Sequence, residues 1–372
     1  MTASAVSISI TGPEQVVYDY STMACESADH PDGPTRALRD SLGRIQLMQS
    51  AIVMRRMIGP NFDSLTHQCT PVAFSAHNED PAAYDDNQWI TAMYTVNGKD
   101  VFALAHNEYH GQWHPPGACP GNVFRNCHWD TVTFFSSANN GDSYSHPPGP
   151  ANLIASMPYR YIPDAGRHGF FGTSNIVSKD GWYYVMLLTT PGYKQQKDGV
   201  CLARTHDLAD PASWRAWDGA TFSVRFVNPY RESPEPIGSH VCEPVSNDEI
   251  LEMNRSVTWN TYLNKWVLTG TSGKYDPALS RVVWGFYFSL SDDLIQWTPR
   301  QLILETETIQ TYVCGDPEPM HYPTLIDPDS TDPNFGTTDQ TAQIYFTRIH
   351  VNAACQITPD RDLLRIPVQF SP

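Results

Sequence analysis

Ser256-Val-Thr-Trp259, the turn Asn260-Thr-Tyr-Leu-Asn264, then Lys265-Trp-Val-Leu-Thr-Gly270, Val283-Trp-Gly-Phe-Tyr-Phe288 and the closing Ser291-Asp-Asp-Leu-Ile-Gln-Trp297 read as one module. Short runs rich in β-branched and aromatic residues are separated by Asn, Asp and Gly, which predicts strands joined by tight turns. The same order recurs along the chain, and recurrence at a fixed plan is the signature of a repeat architecture. One copy runs from Thr35-Arg-Ala-Leu-Arg39 through Asp40-Ser-Leu-Gly43 to Ile45-Gln-Leu47. Another begins at Trp89, turns at Asn97-Gly98 and closes on Ser137-Ala-Asn-Asn-Gly-Asp-Ser-Tyr144. A third turns at Asp180-Gly181 into Trp182-Tyr-Tyr-Val-Met-Leu-Leu188 and closes at Trp214, and a fifth opens at Tyr322-Pro-Thr-Leu-Ile326 and ends near Ile366.

Five copies of a four-strand module predict an all-β, five-bladed β-propeller filling residues 1–372 as a single domain. The blades fall at roughly 34–78, 86–146, 168–218, 252–300 and 318–370, with residues 1–20 supplying a ring-closing strand that removes sheet edges. A β-sandwich is the structural alternative. The repeat is longer than usual, so loops are inserted, chiefly between Gly111 and Asn126 and between Asn228 and Ile250. Loops of that length in a compact domain usually shape a site.

Composition narrows the function. The 372 residues carry 24 Lys and Arg against 40 Asp and Glu, a formal net charge of -16. Such a chain repels phosphate backbones, so nucleic acid is not an expected partner. No apolar run is long enough to span a bilayer as a helix, and no membrane insertion is expected. Aromatic residues at 12% suit stacking on sugar rings as well as packing in β-rich cores. The 8 cysteines include no CxxC pair of the kind zinc ribbons use, so disulfides and an oxidising compartment, secreted or periplasmic, are expected, with connectivity open. The opening MTASAVSISI lacks a basic region followed by a long apolar core, which suits an export signal already removed. Asn254-Arg-Ser256 fits a glycosylation sequon.

In a blade the innermost strand and its antiparallel neighbour share one face where the first begins and the second ends. That rule selects Asp32 and Arg36, Asp85 and Asp86, His168, Asn254 and Arg255, Glu318 and His321 at the starts, and Glu108, His110, Tyr193, Arg348 and His350 at the ends. Carboxylates beside Arg, His and Tyr are the equipment for glycosidic bond cleavage, in which one carboxyl protonates the leaving oxygen while another activates water or attacks the anomeric carbon.

At this point Asp32-Gly-Pro-Thr-Arg-Ala-Leu-Arg-Asp-Ser-Leu-Gly-Arg-Ile-Gln-Leu47 resembles the first blade of the five-bladed glycoside hydrolases, the arabinanase, arabinofuranosidase and invertase-like families. Asp207-Leu208 to Trp214 and Asp293-Leu294 to Trp297 resemble their blade endings. The residue inserted before Pro34 departs from the usual Asp-Pro pair. The resemblance implies Asp32 as base or nucleophile and Asp86, with Asp85 beside it, at the place of a second, pKa-setting Asp. Glu108 is the candidate general acid, with Glu243, Glu252 and Glu318 as alternatives. Arg36, Asp85, His110, His168, Arg255 and His321 are expected to bind substrate. Mutual repulsion among Asp32, Asp86 and Glu108 is expected to hold one carboxyl protonated.

His106, His110 and His114 are spaced by four, but Gly111 and Pro115 break any helix that would align them, so no metal and no cofactor are expected. The expected function is hydrolysis of arabinan, arabinogalactan or fructan-type linkages in an oligo- or polysaccharide. A non-catalytic sugar-binding propeller and a polysaccharide lyase are the alternatives, and oligomeric state is left open.

Overall fold

The computed structural model describes residues 6–49 and 52–372, so residues 1–5 of the leading segment and positions 50 and 51 of the first repeat lie outside the described residues. The chain divides into two compact units, one running up to Pro71 and resuming at Asp248–Pro372, the other Val72–Asn247. The first holds three sheets and the second two.

In the first unit, one sheet is the meander Arg36–Arg39, Ile45–Met48, Arg56–Gly59 and Thr66–His67. A second is Ser256–Asn260, Lys265–Asp276, Arg281–Ser291 and Gln301–Glu305, with Thr337–Thr338 added in parallel. A third is Met320–Ile326, Thr341–Val351 and Ile357–Ser371, and here Ser7–Ile10 and Gln15–Tyr18 both pair antiparallel with the last strand. In the second unit, Asn87–Thr95, Val101–His110, His128–Ser137 and Leu153–Ala155 form one meander. Val177–Lys179, Trp182–Leu188, Val200–Thr205, Arg215–Ala216 and Val224–Arg225 form the other.

The turns follow from their residues. Asp180 and Gly181 both have positive φ, 52° and 78°, which a two-residue hairpin loop of matching twist requires and which Asp-Gly tolerates best. The closing turns share one hydrogen-bond pattern. Ser291 Oγ accepts from the Asp293 and Leu294 N–H groups, at 3.1 and 2.9 Å, and Asp293 Oδ1 accepts from Ile295 and Gln296 N–H at 2.8 Å each. Ser137 Oγ accepts from Gly141 N–H at 3.0 Å and Asn139 Oδ1 from Ser143 N–H at 3.1 Å, and Thr205 with Asp207 repeats the theme. A side-chain oxygen thus takes over the free backbone donors as each strand ends.

Cores lie between sheets within each unit. Phe286, Phe288, Phe346, Leu364, Ile366 and Phe370 pack in one cluster, while Tyr345 and Leu363 face the other way, onto Tyr18, Leu47, Met57 and Phe62. In the second unit Leu104, Val132, Phe134, Phe170, Leu187 and Trp214 share a core. One boundary differs from the sequence reading. His168 and Gly169 pair in parallel with Trp129 and Asp130 of the preceding sheet, and the next sheet begins at Val177. Gly169, at φ 131°, makes this approach possible, since a Cβ there would meet the Asp130 carbonyl oxygen at 2.1 Å.

The eight cysteines form Cys25–Cys69, Cys119–Cys127, Cys201–Cys242 and Cys314–Cys355. Bridges spanning 41 to 44 residues stabilise by about 4 kcal/mol each in the chain-entropy account. Thiol titration of the denatured, unreduced protein is expected to find no free thiol; eight would rule the bridges out.

Candidate functional site

Each unit holds a polar cluster around carboxylates that the sequence singles out. In the first unit Asp32 sits in the Pro31-Asp32-Gly33-Pro34 turn before Arg36–Arg39. Its carboxylate is ion-paired with Arg361 of the last strand and accepts a hydrogen bond from Tyr322 Oη at 3.1 Å. Tyr322 has a φ of 60°, strained for a non-glycine residue, and lies where the register of its strand shifts. The Arg255 guanidinium lies 5.4 Å from the centre of the Tyr322 ring. Arg36 is buried, and that burial, with Arg255 nearby, lowers its pKa to about 9. His321 is also buried, and desolvation with Arg255 and Arg361 holds it far below its ordinary value, so it is neutral.

Glu252 belongs to the same neighbourhood. It follows Leu251, whose φ is 49°, and precedes the strand Ser256–Asn260. Burial raises its carboxyl above the usual range, although Arg255 and Arg300 pull the other way. Arg300 is fixed by the Gly273 carbonyl at 2.8 Å and the Glu249 carbonyl at 3.1 Å.

In the second unit, Val101–His110 and His128–Ser137 run antiparallel, with Glu108 opposite Asp130 and His110 opposite His128. Alternate residues of a strand share a face, so His106, Glu108 and His110 stand in a row against His128 and Asp130. His110 Nε2 lies 2.8 Å and His128 Nε2 3.5 Å from Glu108 Oε2, and Asp130 Oδ1 lies 2.9 Å from both His106 Nε2 and His128 Nε2. Burial alone would raise both carboxyls. His128 and His110 outweigh it at Glu108 and hold that group well below the usual range, and His128 with His106 lowers Asp130 to about 2. Burial works against the charge on His128, yet Asp130 and Glu108 push it up to about 9. Repulsion does not set the protonation of Glu108, because imidazoles surround it. A carboxyl held this low is a poor proton donor.

Asp86 is buried beside this cluster, accepting from the His110 backbone N–H at 2.9 Å and facing His114 Nε2 at 2.8 Å. Asp85 accepts from Ala76 N–H of its own loop at 2.9 Å and lies 3.5 Å from His146, which follows the strand His128–Ser137. His168 bonds the Gly166 carbonyl at 2.7 Å and stacks on Tyr193, with ring centroids 4.0 Å apart.

Of the residues singled out from the sequence, Asp32, Arg36, Arg255 and His321 lie in the first unit, and Asp85, Asp86, Glu108, His110 and His168 in the second. Sequence reading missed Arg361 and Tyr322 as partners of Asp32, and His128 and Asp130 as partners of Glu108. Only the latter pair left a signal, a His-x-Asp alternation facing the His-x-Glu-x-His alternation of the neighbouring strand. Glu108, His110 and His128, and also His106, Glu108 and Asp130, bring ligand atoms within reach of a common metal ion.

No protein-family model and no curated protein matches the chain. Among solved structures it is similar to the sucrose-6-phosphate hydrolase of Lactobacillus gasseri, with 11% identity over 92% of this chain and 61% of that one, at a TM-score of 0.51. It is also similar to the α-L-arabinofuranosidase catalytic domain of Coprinopsis cinerea, with 8% identity, 97% and 96% coverage and a TM-score of 0.48. The α-L-arabinofuranosidase of Lactobacillus brevis gives 8% identity, 91% and 90% coverage and a TM-score of 0.49. The first of these likenesses identifies the five sheets as the five blades of an all-β propeller.

The His128 network makes a directional prediction. A raised histidine pKa adds stability that is complete below the unfolded value of about 6.5 and is lost as pH rises through the folded value of about 9. His128→Gln is therefore expected to lower the melting temperature clearly at pH 6 and much less at pH 10. Removing one partner of a buried pair typically costs about 3–5 kcal/mol, and a melting deficit that does not change with pH would assign His128 a packing role alone.

Proposed function

We propose that this protein is a glycoside hydrolase acting on furanosidic or related linkages of arabinan, arabinogalactan or fructan-type glycans. The observation that carries the reading is the opposed treatment of two carboxyls in the first unit. The Asp32 carboxylate is ion-paired with Arg361 and bonded by Tyr322, whereas Glu252 has no such partner among the described residues and its burial raises its carboxyl above the usual range. Tyr322 and Arg255 connect the two neighbourhoods, one bonding Asp32 and the other acting on Glu252. Hydrolysis of an acetal needs two carboxyls with unlike duties: a protonated one to give its proton to the leaving oxygen, and an ionised one to activate water or attack the anomeric carbon.

In this reading Asp32 is the base or nucleophile and Glu252 the proton donor. Arg255, Arg36 and neutral His321 bind sugar hydroxyls. In the second unit we assign Asp86 and Glu108 the task of holding His114 and His110, because Glu108 is kept ionised and Asp86 is already engaged by two donors. Four disulfides, and no helix among the described residues long and apolar enough to cross a membrane, fit a secreted or periplasmic location.

Asp32→Asn is expected to lower turnover of the best glycan substrate by about 10²–10⁴, with sugar binding retained. Glu252→Gln should cost as much on natural linkages and far less on aryl glycosides whose leaving group needs no proton. It should also remove the alkaline limb of kcat/KM, which in the parent lies above the ordinary carboxylate range. Turnover within about threefold of the parent in both variants would refute the assignment, and glycan binding without turnover by the parent would make the protein a sugar-binding propeller.

A further inference from the structure

A cavity of about 600 Å³ opens in the second unit, lined by Tyr159, Arg160, Lys194, Tyr230, Arg231 and Glu232 among others. Its charge runs against that of the chain. Arg160, Lys194 and Arg231 line it, and among the described residues none of the three has a carboxylate partner. Of the two lining carboxylates, Glu232 is already taken by Arg225 at 2.7 Å, leaving Glu235 alone to oppose three cations. In a protein of net charge -16 this is a local positive field.

The walls are built to present charge over rings. Lys194 Nζ lies 4.7 Å from the Tyr159 ring centre and 4.9 Å from that of Tyr193, and the Arg160 guanidinium lies 5.4 Å from that of Tyr230. Both lining tyrosine hydroxyls are used inside the protein, Tyr159 accepting from Gln195 N–H at 3.2 Å and Tyr230 from Tyr161 N–H at 2.9 Å. Each hydroxyl accepts in these bonds and keeps its own proton, so a ligand can meet an O–H donor as well as ring surface. Lys194 also occupies an expensive position. Tyr193 and Gln196 exchange both backbone hydrogen bonds at 3.0 Å, closing a two-residue hairpin turn, and Lys194 is its first central residue with a φ of 54°. Glycine is the residue that such a position prefers, so the chain accepts strain to place an ammonium group there.

We propose that this cavity is a binding subsite for a uronic acid residue of a glycan. The Nη groups of Arg160, whose Nε–H goes to the Pro229 carbonyl at 2.8 Å, offer the planar pair of donors that fits a carboxylate, Lys194 adds a second positive contact, and the part-exposed Tyr230 ring supplies apolar surface for the sugar's C–H face. The volume suits one or two sugar rings. Binding here requires no bond cleavage, so the subsite stands independently of the hydrolytic assignment.

The test is calorimetry on full-length Asp32→Asn protein, which separates binding from turnover, with three probes: trigalacturonate, neutral xylotriose and inorganic phosphate. Trigalacturonate is expected to bind saturably and to weaken as ionic strength rises. Lys194→Gly and Arg160→Gln should each weaken it by about tenfold, the scale of one charge-assisted hydrogen bond. Lys194→Gly should at the same time keep or raise the melting temperature, because glycine relieves the turn; a merely structural lysine would lower it. The proposal fails if xylotriose binds as tightly as trigalacturonate, if both variants bind trigalacturonate like the parent, or if phosphate displaces it at equal concentration.

Discussion

A sheet covered on both faces leaves few places for a charge away from the ends of its strands, and this constraint arranges much of the molecule. It is plainest in the last sheet of the first unit. Ile344 and Phe346 point into one apolar cluster while Tyr345 between them points into the other, and Leu364 and Leu363 divide in the same way. Apolar side chains stand on both alternating sets here, so the simple period of two that places polar residues on one solvated face in a half-exposed sheet is lost. Ionisable side chains collect where strands begin and end, and there they lose water without gaining apolar neighbours. Burial of this kind is costly unless partners are supplied, so the clusters at strand ends are densely hydrogen-bonded.

The two units meet this requirement with different chemistry, and the difference decides what each cluster does. Around Glu108 and Asp130 the partners are imidazoles, of which His128 is held protonated by the two carboxylates that it in turn keeps ionised. Charge is partly offset inside the cluster, which suits the supporting role proposed for it. Around Asp32 and Glu252 the partners are guanidiniums, which cannot give up their protons under ordinary conditions, and they are shared unevenly: Arg361 contacts Asp32 directly, while Arg255 and Arg300 act on Glu252 without overcoming its desolvation. Two carboxyls therefore sit in unlike surroundings, one ion-paired and one desolvated, and the proposed division of acid and base work rests on that difference.

The sequence reveals the repeat because its signals are local. The Asp-Gly hairpin at 180–181 and the Ser-x-Asp turn at 291–293 are decided by neighbours within a few residues, and each appears in the structure with the hydrogen bonds its chemistry implies. The site is only half legible. Asp32 and Glu108 stand out as carboxylates beside strands, but what governs them comes from elsewhere: Arg361 lies 329 positions from Asp32, and His128 reaches Glu108 only through the register of two paired strands. The direction of the Glu108 pKa is thus hidden until that register is known. Parallel pairing of His168 with the sheet before it is equally invisible, since it depends on the close approach of Gly169 to Asp130.

Charge placement carries the last step. Several cations of this acidic chain stand opposite surface carboxylates, as in Lys197 with Glu243, Lys265 with Asp292 and Arg281 with Glu305, where solvent screens them and each pair contributes about 1 kcal/mol or less. Such pairs keep the surface from being uniformly negative and ask little of the fold. Lys194 and Arg160 are different, because each stands over an aromatic ring and Lys194 does so from a strained backbone position. A cation over a ring keeps its outward N–H groups available, whereas a cation in an ion pair spends them on its partner. Lys194 and Arg160 therefore retain donors that can recognise an anion arriving from solution, which the cations held in these surface ion pairs have already spent.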